Sequence, residues 1–492
     1  MLKRKVFDEL SSWKGREHRA LLVKGQRQVG KTYAIEAFAR ENYEHVVKVD
    51  LSTERDIHSV FDGNLDARSV INGLMVYRDP EDFVPGSTLI FLDEIQDCPR
   101  ARTALKPLAI DGSYDVIASG SLLGVSDRRG KSAVTSRDAS EQAQMPDPET
   151  EDVPPLVPMG YEEHITMHSL DFEEFLWARN FPQWAIDDVR GCIRERRPIE
   201  RSVLKALNDH FRDYVIVGGM PQAVDAFCKD GNYASAGRVL DEILDTCRND
   251  INRYNSVIDA AKTSDCFNSI PYQLSESNKK FMYSRVNEGR GSAEKYGECL
   301  DWIKDAGYGN FCYNVRSPEH PLEGRVDPSS FKVYMSDTGL LMHMMGRDAM
   351  RAVYSGDRSY NMGAVTENAV AEAMMKSGYP LRYFKRAKGE DRMELDFVLE
   401  MGGEMDVIEV KSGKHRESPS LDKVGRFWKV DRRIMLSDTN VEVDSKGVEH
   451  YPLFAASFVR DMEPRWDGPE FRGSRQRDGV RPWRHRRGPH RP

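Results

Sequence analysis

The stretch GQRQVGKT, residues 25–32, has the residue types and spacing that bind the phosphates of a nucleoside triphosphate. An apolar run precedes it and a helical pattern follows it, which is the context that this motif requires. Gly25 and Gly30 let the backbone turn its amide groups toward phosphate oxygens. Lys31 is expected to reach the β- and γ-phosphates, and Thr32 is expected to bind Mg²⁺ through its hydroxyl. The sequence therefore predicts a site for ATP and Mg²⁺ that comprises Gly25, Gln26, Arg27, Gln28, Val29, Gly30, Lys31 and Thr32.

A second motif, TLIFLDE at residues 88–94, supplies the acidic groups that nucleotide hydrolysis needs. Its apolar residues 89–92 predict a central, buried strand. Asp93 stands at the carboxyl end of that strand, where it can hold the Mg²⁺ shell. Glu94 can orient and activate a water for attack on the γ-phosphate. The pair favours a hydrolase over a kinase, because Glu94 supplies a base for water.

The segment IASGS ends the next predicted strand and offers two hydroxyl groups, those of Ser119 and Ser121. From there they could sense the γ-phosphate. Serines are also ordinary turn residues, so the sequence leaves both interpretations open. It does not identify an arginine finger, although Arg128 and Arg129 follow this segment.

Near the other end of the chain, the stretch 405–414 contains a predicted buried strand at 406–410. It carries Glu409 and Lys411 on one face, because side chains two residues apart on a strand point the same way. Asp396 lies in the preceding predicted strand, and two antiparallel neighbours would bring it to Glu409. Glu367 on the helix before can add a third carboxylate. Carboxylate oxygens bind hard divalent cations, so a metal site is one interpretation. A structural ion pair between Glu409 and Lys411 is the other.

The elements that must position these residues follow from the hydrophobic pattern. Residues 1–126 alternate apolar runs with helical patterns, which predicts a parallel α/β sheet. Residues 127–158 are polar and proline-rich and predict a mobile insertion. Helical patterns dominate to about residue 305, and residues 265–316 outline a winged helix, which either contacts DNA or only packs on its neighbours. Three strands in series follow residue 380.

Composition bounds the class of protein. The 492 residues suffice for two to four domains, and 39% hydrophobic with 30% charged residues is typical of a soluble globular protein. The net charge of -8 gives no overall signal for nucleic-acid binding. Seven cysteines without a C-x-x-C pair argue against zinc fingers and favour a reducing cytoplasm. No signal peptide and no membrane span is predicted, so we expect a cytoplasmic protein without a membrane partner.

Several segments together resemble a prokaryotic family of AAA-type ATPases that pair an N-terminal ATPase with a C-terminal domain of unassigned function. They include LLVKGQRQVGKTY, IFLDEIQDCPRARTALK, IASGSLLG and LDFEEFLWA, and further on GGMPQAV, VYMSDTGLL, TENAVAEAM, ELDFVLE and IEVKSG. The likeness runs to about residue 435, and the insertion at 127–158 and the arginine-rich end depart from it. The resemblance implies ATP hydrolysis and a homo-oligomer.

The C-terminal pattern is similar to the PD-(D/E)xK nuclease superfamily, whose members combine a helix glutamate, a strand aspartate and Glu-x-Lys. The resemblance implies metal-assisted phosphodiester hydrolysis with Glu367, Asp396 and Glu409 as metal ligands and Lys411 as a catalytic residue. Such folds also persist as binding modules without activity.

The sequence thus predicts an α/β protein with a P-loop parallel-sheet ATPase domain, a helical and winged-helix middle and a small α+β nuclease-like domain. The predicted function is an ATPase coupled to a nuclease-like domain that acts on DNA or RNA. The alternative is an ATP-dependent switch or scaffold that binds DNA or a protein partner without cutting. A metabolic kinase ranks below both, since no small-substrate signature is present. The predicted boundaries are 1–180 for the ATPase domain, 181–345 for the middle, 346–459 for the nuclease-like domain and 460–492 for a disordered, arginine-rich tail.

Overall fold

The computed structural model describes residues 2–123, 160–286, 291–357, 362–386, 392–413 and 417–464, without the side chain of Tyr254. The predicted insertion at 127–158 lies outside these residues, as does the predicted tail beyond residue 464.

The N-terminal part is built on a five-stranded parallel sheet of order β2-β3-β4-β1-β5. This confirms the predicted α/β class. Buried side chains alternate between two apolar cores, one on each face of the sheet, as expected for a parallel sheet that is covered on both sides. The strands are β1 (Ala20–Lys24), β2 (His45–Asp50), β3 (Thr88–Asp93), β4 (Asp115–Gly120) and β5 (Glu162–Thr166); the helices are α1 (Val6–Lys14), α2 (Lys31–Asn42), α3 (Ala67–Tyr77) and α4 (Pro99–Asp111).

Strand β5 was not predicted from the sequence. It pairs in parallel with β1 at the edge of the sheet, and Ile165 is its one fully buried residue. The segment EEHIT therefore lacks the apolar run that marks the central strands. Its position depends on pairing with β1, which a local pattern does not record.

Helices then continue from residue 172 to residue 305, in agreement with the helical pattern. They are α5 (Phe172–Ala178), α6 (Gln183–Glu195), α7 (Arg201–Val217), α8 (Pro221–Asp230), α9 (Tyr233–Tyr254), α10 (Val257–Ser275) and α11 (Ala293–Asp305). Among the described residues, no helix is both long enough and apolar enough to cross a membrane.

A four-stranded sheet of order β7-β6-β8-β9 follows, with β6 (Gly309–Val315), β7 (Val326–Met335), β8 (Arg382–Arg386) and β9 (Met393–Leu395). Strands β6 and β7 are antiparallel and come directly after α10 and α11, which is the order of the predicted winged-helix outline. Strand β8 adds to β6 in parallel. The sheet therefore crosses the predicted boundary at residue 345, so the middle region and the C-terminal domain share one sheet.

The C-terminal sheet has the order β10-β11-β12-β14-β13 and mixes parallel and antiparallel pairs. The predicted strand ELDFVLE is interrupted at Asp396, between β9 and β10. The strands are β10 (Phe397–Met401), β11 (Glu404–Val410), β12 (Arg432–Ser437), β13 (Glu442–Val443) and β14 (Val448–Pro452); the helices are α12 (Thr338–Met345), α13 (Arg347–Ser355), α14 (Gly363–Lys376) and α15 (Pro419–Val424).

The predicted start of the tail at residue 460 is corrected by the structure. Leu453–Met462 is a 3-10 helical segment whose Phe454, Phe458 and Met462 are buried. It contacts α6 and α14, so apolar packing holds the chain in place through residue 462.

The shared sheet leads to a prediction about fragments. A fragment of residues 346–464 lacks β6 and β7, so β8 keeps β9 but loses its other partner strand, β6, and buried apolar surface becomes exposed. We expect no cooperative thermal transition by circular dichroism for this fragment, while the full chain should show one. A cooperative transition of the fragment would show that the C-terminal part folds by itself.

Candidate functional site

The phosphate loop joins β1 to α2 and depends on backbone conformations that favour glycine. Gly30 has φ of +90° and Gly25 has φ of +154°. A Cβ atom on Gly25 would lie 2.1 Å from the carbonyl oxygen of Met167, so no other residue fits there. Gln28 adopts φ of 63° between them. The loop thus has the tight curl that turns amide groups toward bound phosphates.

Lys31 is the first residue of α2 and lies folded over the loop. Its Nζ donates to the carbonyl oxygens of Gly25 and Gln26, both at 3.0 Å. Burial lowers the pKa of Lys31 to about 8, and the carboxylates of Glu94 and Asp93 oppose this shift only in part. A buried ammonium with carbonyl partners is poised to gain a stronger partner in a triphosphate.

Asp93 at the end of β3 contacts hydroxyl groups from two other segments and lies near a lysine. Thr32 Oγ1 donates to Asp93 Oδ1 at 3.1 Å, and Ser119 Oγ donates to the same oxygen. Lys48 Nζ lies 3.6 Å from Asp93 Oδ2. Burial raises the pKa of Asp93, and the two hydroxyl donors moderate the increase. Thr32 and Asp93 are therefore adjacent oxygen donors, which fits a Mg²⁺ ion that binds together with phosphates.

Glu94 occupies the left-handed region of backbone space, with φ of 52° and ψ of 49°. Ser121 Oγ donates to Glu94 Oε2 at 2.9 Å, and Gln96 Nε2 donates to the same oxygen. Ser121 N in turn donates to Gln96 Oε1 at 3.2 Å. Ser119 and Ser121 thus fix the two acidic residues, whereas the sequence suggested either γ-phosphate sensing or turn formation. The sequence prediction did not include Gln96. Its position two residues after Glu94 was the one local signal that the two side chains could interact.

A cavity of about 410 Å³ lies beside this acidic pair. One wall comes from α9, a helix outside the ATPase sheet, which contributes Thr246 and the exposed Arg253. No local sequence pattern indicates that a helix about 220 residues from the loop borders the site. The lining residues are Arg27, Gln28, Ser52, Glu94, Asp97, Thr246 and Arg253.

A buried carboxylate joins the phosphate loop to α9 and to Tyr308, the residue before β6. Arg27 Nη1 contacts Asp250 Oδ1 at 2.6 Å, and Tyr308 OH donates to Asp250 Oδ2 at 2.7 Å. Gln28 Nε2 donates to Thr246 Oγ1 at 3.3 Å. Burial raises the pKa of Asp250, while Tyr308 and Arg27 favour its charged form.

Gln26 makes one further contact from the loop, accepting a hydrogen bond from Ser336 Oγ at 3.0 Å. Three consecutive loop residues therefore contact residues 246–336. Positions 246, 250 and 253 share one face of α9, since residues four and seven apart lie on one side of a helix.

The C-terminal candidates lie near one another. Phe397 pairs with Ile408 in the β10–β11 hairpin, which brings Asp396 and Glu409 to the same end of it. The amide of Val410 donates to Asp396 Oδ2 at 2.9 Å. The helix glutamate is also close, since Lys332 Nζ lies 2.9 Å from Glu367 Oε1 and 4.0 Å from Asp396 Oδ1. Burial and the nearby Glu367 raise the pKa of Asp396 to about 6.

Glu367 is buried on α14 and is fully engaged by donors. Lys332 Nζ lies 2.9 Å from its Oε1, where Tyr334 OH also donates, and Lys279 Nζ contacts its Oε2. Burial disfavours the charged form of Glu367, but Lys332 and Lys279 outweigh this effect and lower its pKa to about 2. Both oxygens of this carboxylate are thus in use.

Glu409 pairs with Lys411, as the alternative interpretation of the sequence predicted. Its Oε2 is buried and has no hydrogen-bond partner. Burial and the charge of Asp396 raise the pKa of Glu409 to about 8.

These contacts decide whether the predicted metal ligands Glu367, Asp396 and Glu409 fit a cation. Protein donors engage both oxygens of Glu367 and one oxygen, Oδ2, of Asp396. Of these three carboxylates, Glu409 is the one with a buried oxygen, Oε2, that has no hydrogen-bond partner. Among the residues that the structure describes, no group of three or more His, Cys, Asp or Glu side chains is placed to hold a metal ion. The cluster as it stands does not fit the predicted metal site.

Comparison with known proteins assigns three regions of the chain. Residues 17–146 match an AAA domain, residues 208–351 match a domain of unknown function (DUF8612), and residues 362–453 match another domain of unknown function (DUF4143). No curated protein matches the chain.

Two solved structures are similar to the chain at low identity. The Walker-type ATPase PABY2304 of Pyrococcus abyssi is 12% identical, with 70% of this chain and 96% of that chain covered and a TM-score of 0.41. A signal transduction ATPase with numerous domains (STAND) with a tetratricopeptide repeat sensor, PH0952 from Pyrococcus horikoshii, is 12% identical, with 77% and 46% covered and a TM-score of 0.25. The chain therefore contains an AAA-type P-loop domain, on the evidence of the family match and of the loop geometry.

The lowered pKa of Lys31 predicts a pH dependence of ATP binding. Above pH 8 the unliganded protein loses the charge on Lys31, and the bound phosphates restore it, so binding takes up a proton. ATP affinity should fall about tenfold between pH 7 and pH 9, the size expected for one charge titrating near pH 8. Calorimetry at pH 8.5 in two buffers of different ionisation enthalpy would report the proton uptake. An affinity that stays constant over this range would contradict the assignment.

Proposed function

We propose that this protein is an ATP-hydrolysing molecular switch, in which the phosphate loop passes its nucleotide state to residues 208–351. ATP is the substrate and Mg²⁺ is the cofactor. The observation that carries the proposal is the chain of contacts from Arg27 through Asp250 to Tyr308, since it joins the loop to a different domain.

The hydrolytic half of the proposal rests on the placement of Lys31 and Glu94. Lys31 would exchange its two carbonyl partners for the β- and γ-phosphates. Glu94, held by Ser121 and Gln96, would orient a water and accept its proton. Thr32 and Asp93 would hold Mg²⁺, which supplies charge neutralisation at the phosphates.

The switching half rests on the burial of the connecting groups. Asp250 is 2% exposed and Tyr308 is 1% exposed, so neither can exchange its partner for water without a larger movement. Arg27 stands within the phosphate loop and lines the cavity next to Glu94. A phosphate that attracts Arg27 would weaken its ion pair with Asp250, and the change would reach α9 and the start of β6.

A second candidate function, cleavage of nucleic acid by the C-terminal domain, is favoured by one observation. The hairpin brings Asp396 and Glu409 together beside Glu367 and Lys411, as a nuclease-like site requires. That function needs a metal ion, and the described carboxylates do not fit one. The switch is therefore preferred, with DNA, RNA or a protein as the partner it would control.

Substitutions in the loop and strand should separate binding from hydrolysis. Lys31→Ala should abolish ATP turnover, because it removes the cation expected at the phosphates. Glu94→Gln should bind ATP normally but lower kcat by about 10²–10³-fold or more, the range seen when an essential charge-handling group is lost. Steady-state phosphate release and nucleotide binding measure the two effects. Wild-type turnover by Glu94→Gln would remove Glu94 from its role as the base.

The coupling can be followed by amide hydrogen exchange. Addition of a slowly hydrolysed ATP analogue should change protection in residues 308–315 of the wild type, and Asp250→Asn should bind the analogue without that change. Asp245→Asn is the matched control, because Asp245 is an exposed residue on the same helix that pairs only locally with Arg248. An identical response in Asp250→Asn and in the control would contradict the proposed route.

A further inference from the structure

A buried lysine lies among the C-terminal carboxylates. Lys332 is 1% exposed on β7, and its Nζ lies 2.9 Å from Glu367, 3.3 Å from Glu394 and 4.0 Å from Asp396. These three acidic residues come from α14, from β9 and from the turn between β9 and β10. A single ammonium group therefore lies between carboxylates from three separate elements, the position that a metal ion takes among its ligands.

The lysine comes from a different part of the chain than the carboxylates. Lys332 belongs to the region that matches one domain of unknown function, at 208–351, and the carboxylates belong to the region at 362–453 that matches the other. Lys279, also in the first region, contacts the second oxygen of Glu367. The cluster therefore joins the two regions by ion pairs.

This arrangement meets the physical requirements of the carboxylates and of the buried lysine. Clustered carboxylates repel one another unless a cation lies between them, and a buried ammonium is costly unless it is paired. Mg²⁺ needs oxygen lone pairs in an octahedral shell at about 2.0–2.1 Å. The carboxylate oxygens of Glu367 already accept from three protein donors. These donors are Lys332, Lys279 and Tyr334. The positive charge of Lys332 would also repel a divalent cation at this position.

We propose that the ammonium group of Lys332 takes the place of the divalent cation in this nuclease-like site. The carboxylates then serve to join the two regions, and the domain binds no metal at this position. This inference does not depend on ATP hydrolysis, because no residue of the cluster belongs to the nucleotide site.

The test is calorimetric titration of Mn²⁺ into the nucleotide-free full-length protein. We expect the wild type and Asp396→Asn to give the same heats, since the cluster takes up no metal. Lys332→Met removes the ammonium and should gain a Mn²⁺-binding event that is lost again in Lys332→Met/Asp396→Asn. Heat from the nucleotide site is common to all variants and cancels in this comparison.

Lys385→Met is the matched control, because Lys385 contacts Glu394 at 2.6 Å from the rim but leaves Lys332 in place. It should gain no Mn²⁺ binding, and the thermal transition followed by circular dichroism reports whether each preparation is folded. If Lys332→Met does not fold, Lys332→Gln keeps a polar group at the same position. Mn²⁺ binding by the wild type that Asp396→Asn removes would overturn the proposal. Failure of a folded, uncharged Lys332 variant to gain Asp396-dependent binding would overturn it as well.

Discussion

The buried carboxylate of Asp250 is the constraint on which the proposed switch depends. It receives Arg27 from the phosphate loop on one oxygen and Tyr308 on the other, and it lies on a helix that borders the cavity next to Glu94. Removing one partner of a buried ion pair typically costs about 3–5 kcal/mol, because the remaining charge stays buried without compensation. The loop therefore cannot change its contacts without a consequence for α9 and β6.

Buried charges in the C-terminal half also need partners, but they are arranged differently. Lys332 satisfies several carboxylates at once, and Lys279 and Tyr334 complete the partners of Glu367. Lys31 and Lys332 thus differ in whether they can gain a new anionic partner. In the phosphate loop, Lys31 donates to two carbonyl oxygens, which a phosphate can replace. Lys332 instead already lies beside three carboxylates, of which that of Glu367 is buried and that of Glu394 is partly exposed.

Local patterns were sufficient to predict the P-loop α/β domain. The loop at 25–32 and the strand that ends at Asp93 are contiguous motifs, so their chemistry and their spacing are written in the sequence. The apolar runs of the central strands predicted the parallel sheet for the same reason. The pairing of Glu409 with Lys411 was also foreseeable, since the two residues share a strand face.

Contacts between distant segments could not be predicted in this way. Asp250 and Lys332 lie in helical and strand patterns that look ordinary, and their roles arise from partners at positions 27 and 367. Strand β5 was missed because its polar sequence relies on pairing with β1. The shared sheet across residue 345 likewise results from a parallel pairing of β6 with β8, which local hydrophobicity does not encode.

A double-mutant cycle on Arg27 and Asp250, performed with and without a slowly hydrolysed ATP analogue, tests whether nucleotide binding changes the contact between these two side chains. The free energy of unfolding of Arg27→Ala, Asp250→Ala and the double variant gives the coupling between the two side chains in each nucleotide state. We predict a coupling energy of about 1–3 kcal/mol without nucleotide and a value lower by about 1 kcal/mol or more with it. The same coupling energy in both states would show that the Arg27–Asp250 contact does not respond to the nucleotide.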